Sequence, residues 1–277
     1  VGAVRAAWDL VDAAAAHAGV EIRPLTDLED ADRIRRVVEL VWEEQVPPRE
    51  IIRAMQHAGG VLFGADHKGE LVGFVWGFVG LSEGLHLHSH MLGVLPEWQV
   101  RGVGYALKLA QRADCLDQGI EEVRWTYDPL VARNARFNLV KLGAEAFRFL
   151  PQFYGDMTDR LNRKDRSDRF EVRWRLRSDR ALAALEGRAV EPAAGAALLG
   201  AMDDGAPSPR RTGSVPAAGS TVAIPPNYYD LKSSRPELAA RWRTETVDVF
   251  QSCFDRGLIA TWLTRDAEYV FDVMGDG

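Results

Sequence analysis

Cysteine is almost missing from this chain. Cys115 and Cys253 are the only two, they form neither a metal-type spacing nor a disulfide framework, and the pattern suits a reducing cytosol. No apolar run approaches the ~18 residues of a membrane span. The first residues carry Asp9 and Asp12 and lack a secretory h-region, so no signal peptide is expected. Excess positive charge is missing too. A formal charge of −6 argues against a general nucleic-acid-binding surface, though a local basic patch stays open. What remains, 47% apolar and 27% charged residues, is ordinary for a globular protein. The length suffices for one large domain or two modest ones.

The chain opens with an alanine-rich stretch, residues 3–18. Val4, Trp8, Val11 and Ala15 form one stripe of a short amphipathic helix, and Gly19 ends it. VEIRPL is a strand, and Asp27 or Thr26 caps a helix near Leu28 to Trp42. Pro47 and Pro48 break the pattern, and Pro48 opens a short helix that stops at Gly59-Gly60. VLFGAD and ELVGFVWGFVG are two strands joined by His67-Lys68-Gly69, a hairpin signal. Gly73, Gly77 and Gly80 in the second strand predict a close neighbour or a bulge.

The stretch Leu85–Gly119 reads as strand, turn, loop and helix. From Leu85 the strand alternates His86, His88 and His90 with other side chains and ends in the apolar run Met91–Leu95. Pro96 marks the turn, QVRGVG the loop, and Gly119 the helix end. Gly102 and Gly104 sit where the chain enters the helix. Free N–H groups there, helped by the helix dipole, make an anion site suited to a phosphate, and Arg101 adds a fixed positive charge. The loop is not the dinucleotide fingerprint, because Leu107 stands where its third glycine belongs, and no G-K-S/T follows for a P-loop. An ordinary strand–helix connection is the competing reading.

Further along, VRWTYDP is a fifth strand and NARFNLVKLGA a helix closed by Gly143. AFRFLPQFYG is a sixth strand running into a bend. FEVRWRL is a seventh, with Phe170, Val172, Trp174 and Leu176 on one face. Between the last two, GDMTDRLNRKDRSD is dense in charge and reads first as a solvated loop. From Ser178 to Ser220 alanine, glycine and proline dominate, with helices expected over 178–187 and 191–202 and linker beyond. TVAIP resumes a strand, Pro236 to Gly257 is a long helix, and LIATWLTR and EYVFDVM are strands joined at Arg265-Asp266. The organisation is a domain over 1–177, a connecting segment over 178–220, and a strand–helix–strand–strand extension over 221–277. That extension either packs as a partial second lobe or adds to the first sheet.

Gln99-Val100-Arg101-Gly102-Val103-Gly104 matches the Q/R-x-x-G-x-G/A motif of the GNAT acetyltransferase superfamily. HSHMLGVLPEWQVRGVGYALKLAQR, followed by TYDPLVARNARFNLVKLGA, resembles a branch of predicted acetyltransferases in it, over roughly residues 20 to 176. The resemblance implies an α+β, sandwich-like fold: a mixed, mostly antiparallel central sheet flanked by helices, with a C-terminal partial second lobe. It implies acetyl-coenzyme A or another acyl-coenzyme A as co-substrate and no metal. The amides of Val100 to Gly104, with Gln99 and Arg101, would hold the pyrophosphate. Met91, Leu92, Gly93 and Val94 would pair with the pantetheine arm, and an N–H near Leu92 or Val94 would polarise the thioester carbonyl. The charged stretch before the seventh strand then has a second reading, as a basic rim for the acidic ends of coenzyme A.

A glutamate that acts as general base in many relatives corresponds to His88. A histidine titrating near pH 7 can take an ammonium proton, and His90 is the second candidate on that side. Glu97, outside the strand, reads as solvated. The family's tyrosine acid falls on Leu139, which has no hydroxyl, leaving Tyr127 and Tyr154 as candidates. Its asparagine falls on Ala132, with Asn134 nearby. Three imidazoles on one strand face raise the thought of zinc. Successive ones are about 6.5–7 Å apart, and no cysteine or H-E-x-x-H helix accompanies them, so no metal is expected.

Trp76, Trp125, Phe153 and Tyr154 line an acceptor site or are core. Arg124 and Arg133 hold a substrate carboxylate, bind cofactor or are surface charges. A small-molecule amine or amino-acid derivative is the expected partner, without nucleic acid or membrane, and protein N-termini and a homodimer stay open. The leading function is a cytoplasmic N-acetyltransferase working by direct attack. Its competitors are a non-catalytic module that binds a coenzyme A thioester or a protein, and a metal hydrolase built on the histidines.

Overall fold

A computed structural model describes residues 2–43, 46–155, 165–208 and 215–275. The chain forms two compact units, one over Val1–Arg124 and one that among the described residues runs from Trp125 onward. Residues 156–164, most of the charged stretch with two readings above, lie outside the described residues. No helix among the described residues is long and apolar enough to cross a membrane.

The first unit begins with α1 (Gly2–Ala18), β1 (Glu21–Pro24), α2 (Leu28–Trp42) and α3 (Arg49–His57). Asp27 caps α2 in a capping box with Asp30, satisfying two backbone donors at once. The Asp30 carboxylate also takes two bonds from the Arg23 guanidinium, which holds it below the usual carboxylate range against the opposing effect of burial. Next come β2 (Val61–His67), β3 (Glu70–Gly80), β4 (His86–Val94), a 3₁₀ turn (Pro96–Trp98), α4 (Val103–Asp117) and β5 (Glu122–Tyr127). The order is β1-β2-β3-β4-β5, antiparallel except for the parallel β4–β5 pair. Successive β3 side chains face opposite ways. Phe74 and Trp76 enter a core with Ile34, Val37 and Val38 of α2 and Ile52 of α3, while Gly73 and Gly77 face α4. The strand–helix–helix–strand–strand–strand–helix order is the one expected.

In the second unit β5 ends and is followed by α5 (Ala132–Ala135), a π-helical turn (Arg136–Lys141), β6 (Glu145–Leu150), β7 (Arg169–Arg175) and α6 (Asp179–Leu185). Then come β8 (Ala197–Leu199), β9 (Thr221–Ala223), α7 (Tyr228–Ser234), α8 (Pro236–Asp255), β10 (Leu258–Leu263) and β11 (Glu268–Val273). The helix expected over 191–202 is absent: β8 occupies its centre, running parallel to β9. Gly195 and Gly200 weaken the helix there, and burying Leu198 and Leu199 overrides alanine's local preference. The C-terminal extension adds to the sheet, since β10 pairs with β6 through Ala260 and Ala146. Phe149, Phe170, Phe250, Tyr269 and Phe271 stack into one aromatic core there. The described strands are mostly antiparallel and flanked by helices, the mixed α+β class expected.

Candidate functional site

Strand β4 is irregular where its chemistry lies. On one side it pairs with β3, but the register jumps between Gly77–Ser89 and Trp76–Met91, so His90 is an extra, bulged residue. The bulge puts His88, His90 and Met91 on the side of Trp76 and Phe78. Phe78 lies 5.2 Å from His88 and 5.8 Å from His90 by ring centroid, and Trp76 meets His90 edge-on at 5.3 Å. On its other side β4 is paired with β5 only at Leu87 and His88.

The remaining edge offers backbone donors. Leu95 N–H bonds the Val72 carbonyl across the β3 ladder. Because hydrogen-bonded pairs alternate in an antiparallel ladder, Gly93 and Met91 also turn their amides toward β3. Leu92 and Val94 therefore turn theirs outward, to the open edge. The Val94 carbonyl on that edge accepts a bond from Gln99 Nε2 at 3.2 Å, which ties the loop to the strand end.

The loop itself meets the demands of an anion site. Gly102 has φ +89°, a left-handed angle that side chains disfavour. The N–H groups of Gly102, Val103 and Gly104 bond no acceptor among the described residues, whereas those of Tyr105 and Ala106 already reach the Gly102 carbonyl. A β-carbon on Gly104 would lie 3.7 Å from Leu92 and 3.8 Å from Val94, ordinary contact distances. Backbone angle thus requires glycine at 102, while position 104 has room for alanine. Arg101 is exposed, packs over the Trp98 ring, and bonds the Glu97 carbonyl. The amides of the half-buried Gly102 and Gly104 and of the buried Val103, together with the open edge, supply the donors that the pyrophosphate and arm of an acyl-coenzyme A would need.

The histidines depart from expectation. His88 has its pKa lowered to about 4, chiefly by burial and then by His90, His86 and Lys108. It is neutral through the physiological range, and the expected titration near pH 7 is corrected. His90 is exposed, yet the packing around its ring lowers its pKa too. His86 is buried with Nδ1 2.9 Å from the Gly84 carbonyl. No group of three potential ligands among the described residues is placed to hold a metal ion.

The other candidates are in the second unit. Tyr127 is 5% exposed, its hydroxyl 3.1 Å from that of Tyr269, and burial pushes its pKa up, the environment of a core tyrosine. Tyr154 is exposed, its hydroxyl 3.2 Å from Thr126 Oγ1, with the Arg169 guanidinium over its ring. Asn134 is half-buried in α5. Of the expected acceptor-lining aromatics, Trp76 and Trp125 are core, and Phe153 and Tyr154 are exposed. In the first unit Arg124 is engaged by Glu122, Glu83 and the Ser82 carbonyl, so its charge is already matched. Burial drives the Cys115 thiol up to about 12, which suits packing and not nucleophilic attack. A cavity of about 510 Å³ in the first unit is lined by Arg23, Arg33, Asp66 and His67 among others, and by no residue of β4 or the loop.

One residue escaped sequence reasoning. Lys108 is 2% exposed in α4, its Nζ bonded to Ser89 Oγ and Gln111 Oε1. The signal was present: Ala106, Leu107, Leu109, Ala110 and Ala113 are apolar around most of the helix, leaving a lysine among them little exposed face.

The family model described as Acetyltransferase (GNAT) family matches residues 25–143. Among curated proteins none matches the chain. Similar solved structures include the ribosomal-protein-S18-alanine N-acetyltransferase of Escherichia coli, at 16% identity over 57% of this chain and 94% of that one, with TM-score 0.47. Naa50 of Arabidopsis thaliana, in complex with the bisubstrate analogue CoA-Ac-MVNAL, shares 17% identity over 56% of this chain and 97% of its own, also with TM-score 0.47. An aminoglycoside acetyltransferase from an uncultured soil metagenomic sample shares 25% over 39% and 76%, with TM-score 0.35. The matched segment holds everything from α2 to the π-helical turn, including β4, the glycine loop and α4. Residues 25–143 of this chain are a domain of the acetyltransferase (GNAT) family.

Proposed function

We propose that the chain is an acyl-coenzyme A-dependent N-acyltransferase, with acetyl-coenzyme A the first donor to test, and that it works by direct attack of an amine on the thioester. One observation carries the reading: the amides of Gly102, Val103 and Gly104, without an acceptor among the described residues, come one short turn after the open edge of β4. Bound acyl-coenzyme A supplies the activated acyl group. The loop amides and Arg101 would hold its pyrophosphate, with Gln99 bracing the loop and Met91 to Val94 along the pantetheine arm. The outward N–H of Leu92 or Val94 would donate to the thioester oxygen as charge develops there.

His88 serves as an acceptor of a hydrogen bond from the incoming amine and, with His90, orients it. A group titrating at about 4 is a weak base, so the proton of an ammonium goes to solvent, and the neutral fraction of the amine reacts. Tyr154, the exposed tyrosine, is the candidate acid for the departing thiolate, and Asn134 a candidate cofactor contact. A small-molecule amine or amino-acid derivative suits the aromatic and histidine face of β3 and β4. The buried free thiols Cys115 and Cys253 suit a reducing cytosol.

A second reading, binding without transfer, is favoured by Leu139 in place of the family's tyrosine and by the weak basicity of His88. Thermal stability and binding heat with acetyl-coenzyme A, longer acyl-coenzyme A and free coenzyme A test both, wild type against Gly102→Val. Saturable stabilisation lost in the variant, followed by thiol release with an amine panel, supports the enzyme. Binding without thiol release supports the module, and no binding removes both.

A further inference from the structure

Helix α4 turns the amine of Lys108 inward. Buried amines persist where hydrogen bonds replace water, and Lys108 Nζ donates to Ser89 Oγ at 2.8 Å and to Gln111 Oε1 at 2.9 Å. Gly77 makes room for the cluster, since a β-carbon there would stand 3.1 Å from Gln111 Nε2. Gly77 is also the register partner of Ser89. Ser89 is the last residue paired before the bulged His90, and it lies between His88 and His90 in the chain.

We propose that Lys108 is a positioning residue for the acceptor face, tying Ser89 to α4 and so setting the bulge that places His88, His90 and Met91 beside Trp76 and Phe78. A one-residue slip of β4 would turn Ser89 to the other face and leave the Lys108 ammonium without that acceptor in a low-dielectric interior. The buried pair therefore selects the bulged register. The consequence for transfer rests on the acyltransferase reading, and the structural claim does not.

The charged and titratable groups around His88 are few. His86 and His90 lie on its own strand, Lys108 on α4, and its β5 register partner Arg124 is engaged by Glu122 and Glu83. Strand β3 presents the uncharged rings of Phe78 and Trp76.

The test is an NMR titration of the histidine rings in the protein without cofactor, assigned with His88→Gln and His90→Gln. Lys108→Met keeps the length of the side chain and removes the donor, and Ser89→Ala removes the acceptor. Both variants are expected to shift the His88 and His90 resonances, and Lys108→Met to raise the His88 titration by about half a pH unit or more. In the transfer assay kcat should fall roughly tenfold with the KM for acetyl-coenzyme A unchanged. Ring titration needs no turnover, so its result stands apart from the fate of the acyltransferase reading. Folded variants with unchanged resonances overturn the proposal, as does a loss of heat stability alone. If Lys108→Met does not fold, Ser89→Ala, which deletes only a hydroxyl oxygen, decides.

Discussion

His88 and Lys108 show how burial rather than identity decides what a titratable side chain can do. Unfolded, His88 has its ordinary value of 6.5, and folded it titrates at about 4. Between those values the unfolded chain binds more protons, so this contribution is intact above about pH 6.5 and is lost as pH falls toward 4. The loss is at most about 3 kcal/mol, reduced because solvent reaches the half-buried ring. His88→Gln should flatten the stability difference between pH 7 and pH 5 measured by urea unfolding. An unchanged difference would assign the slope to another group. Lys108 shifts from 10.5 to about 7 through burial, so the unfolded chain binds more protons between those values and stability rises with pH across that window. Strand alternation made His88 and His90 visible in the sequence. The neutrality of His88 was not, because it arises from burial against Phe78 and then from His90, His86 and Lys108, which only the folded strand and helix bring to it.

At the scale of elements, the loop and the helix behind it are one device. A β-branched residue at φ +89° strains the backbone by about 1–3 kcal/mol and turns the loop amides away from a common target. Gly104 lies inside α4 with space beside it. Gly102→Val should therefore abolish the thermal shift caused by acetyl-coenzyme A, while Gly104→Ala keeps most of it. Equal losses in both would mean that bulk, and not backbone angle, is what the loop cannot tolerate. The motif was readable because a helix start and glycine spacing are local. The bulge at His90 was only half readable: glycines in β3 pointed to some irregularity there, but its position depends on Ser89 meeting Lys108, nineteen residues later.

At the scale of the molecule, the second unit is held by charges as well as by its aromatic core. Arg243 is buried, bonds both oxygens of Asp128 and both of Asp165, and lies over the ring of Tyr228. Tyr228 in turn donates to Asp165. Removing the guanidinium takes from Asp128 its buried partner and leaves Asp165 with Lys232 as its cation, at 3.7 Å, a loss of about 3–5 kcal/mol. Arg243→Met should lower the urea midpoint sharply at pH 7, and less when it is combined with Asp128→Asn and Asp165→Asn, which leave no carboxylate there to be matched. A midpoint equally low in both would point to lost packing instead.

By itself the sequence determined the order of elements from α1 to β7, the capped start of α2, the hairpin at Lys68-Gly69 and the glycine loop at the head of α4. These follow from short-range rules, apolar period, caps and turn residues, that each segment obeys alone. Only the tertiary structure decided that residues 197–199 are a strand, that β10 joins β6, that His88 stays neutral, and that Lys108 lies beneath the bulge. Each of those depends on what a distant segment places beside the residue, and burial free energy there outweighs the local preference.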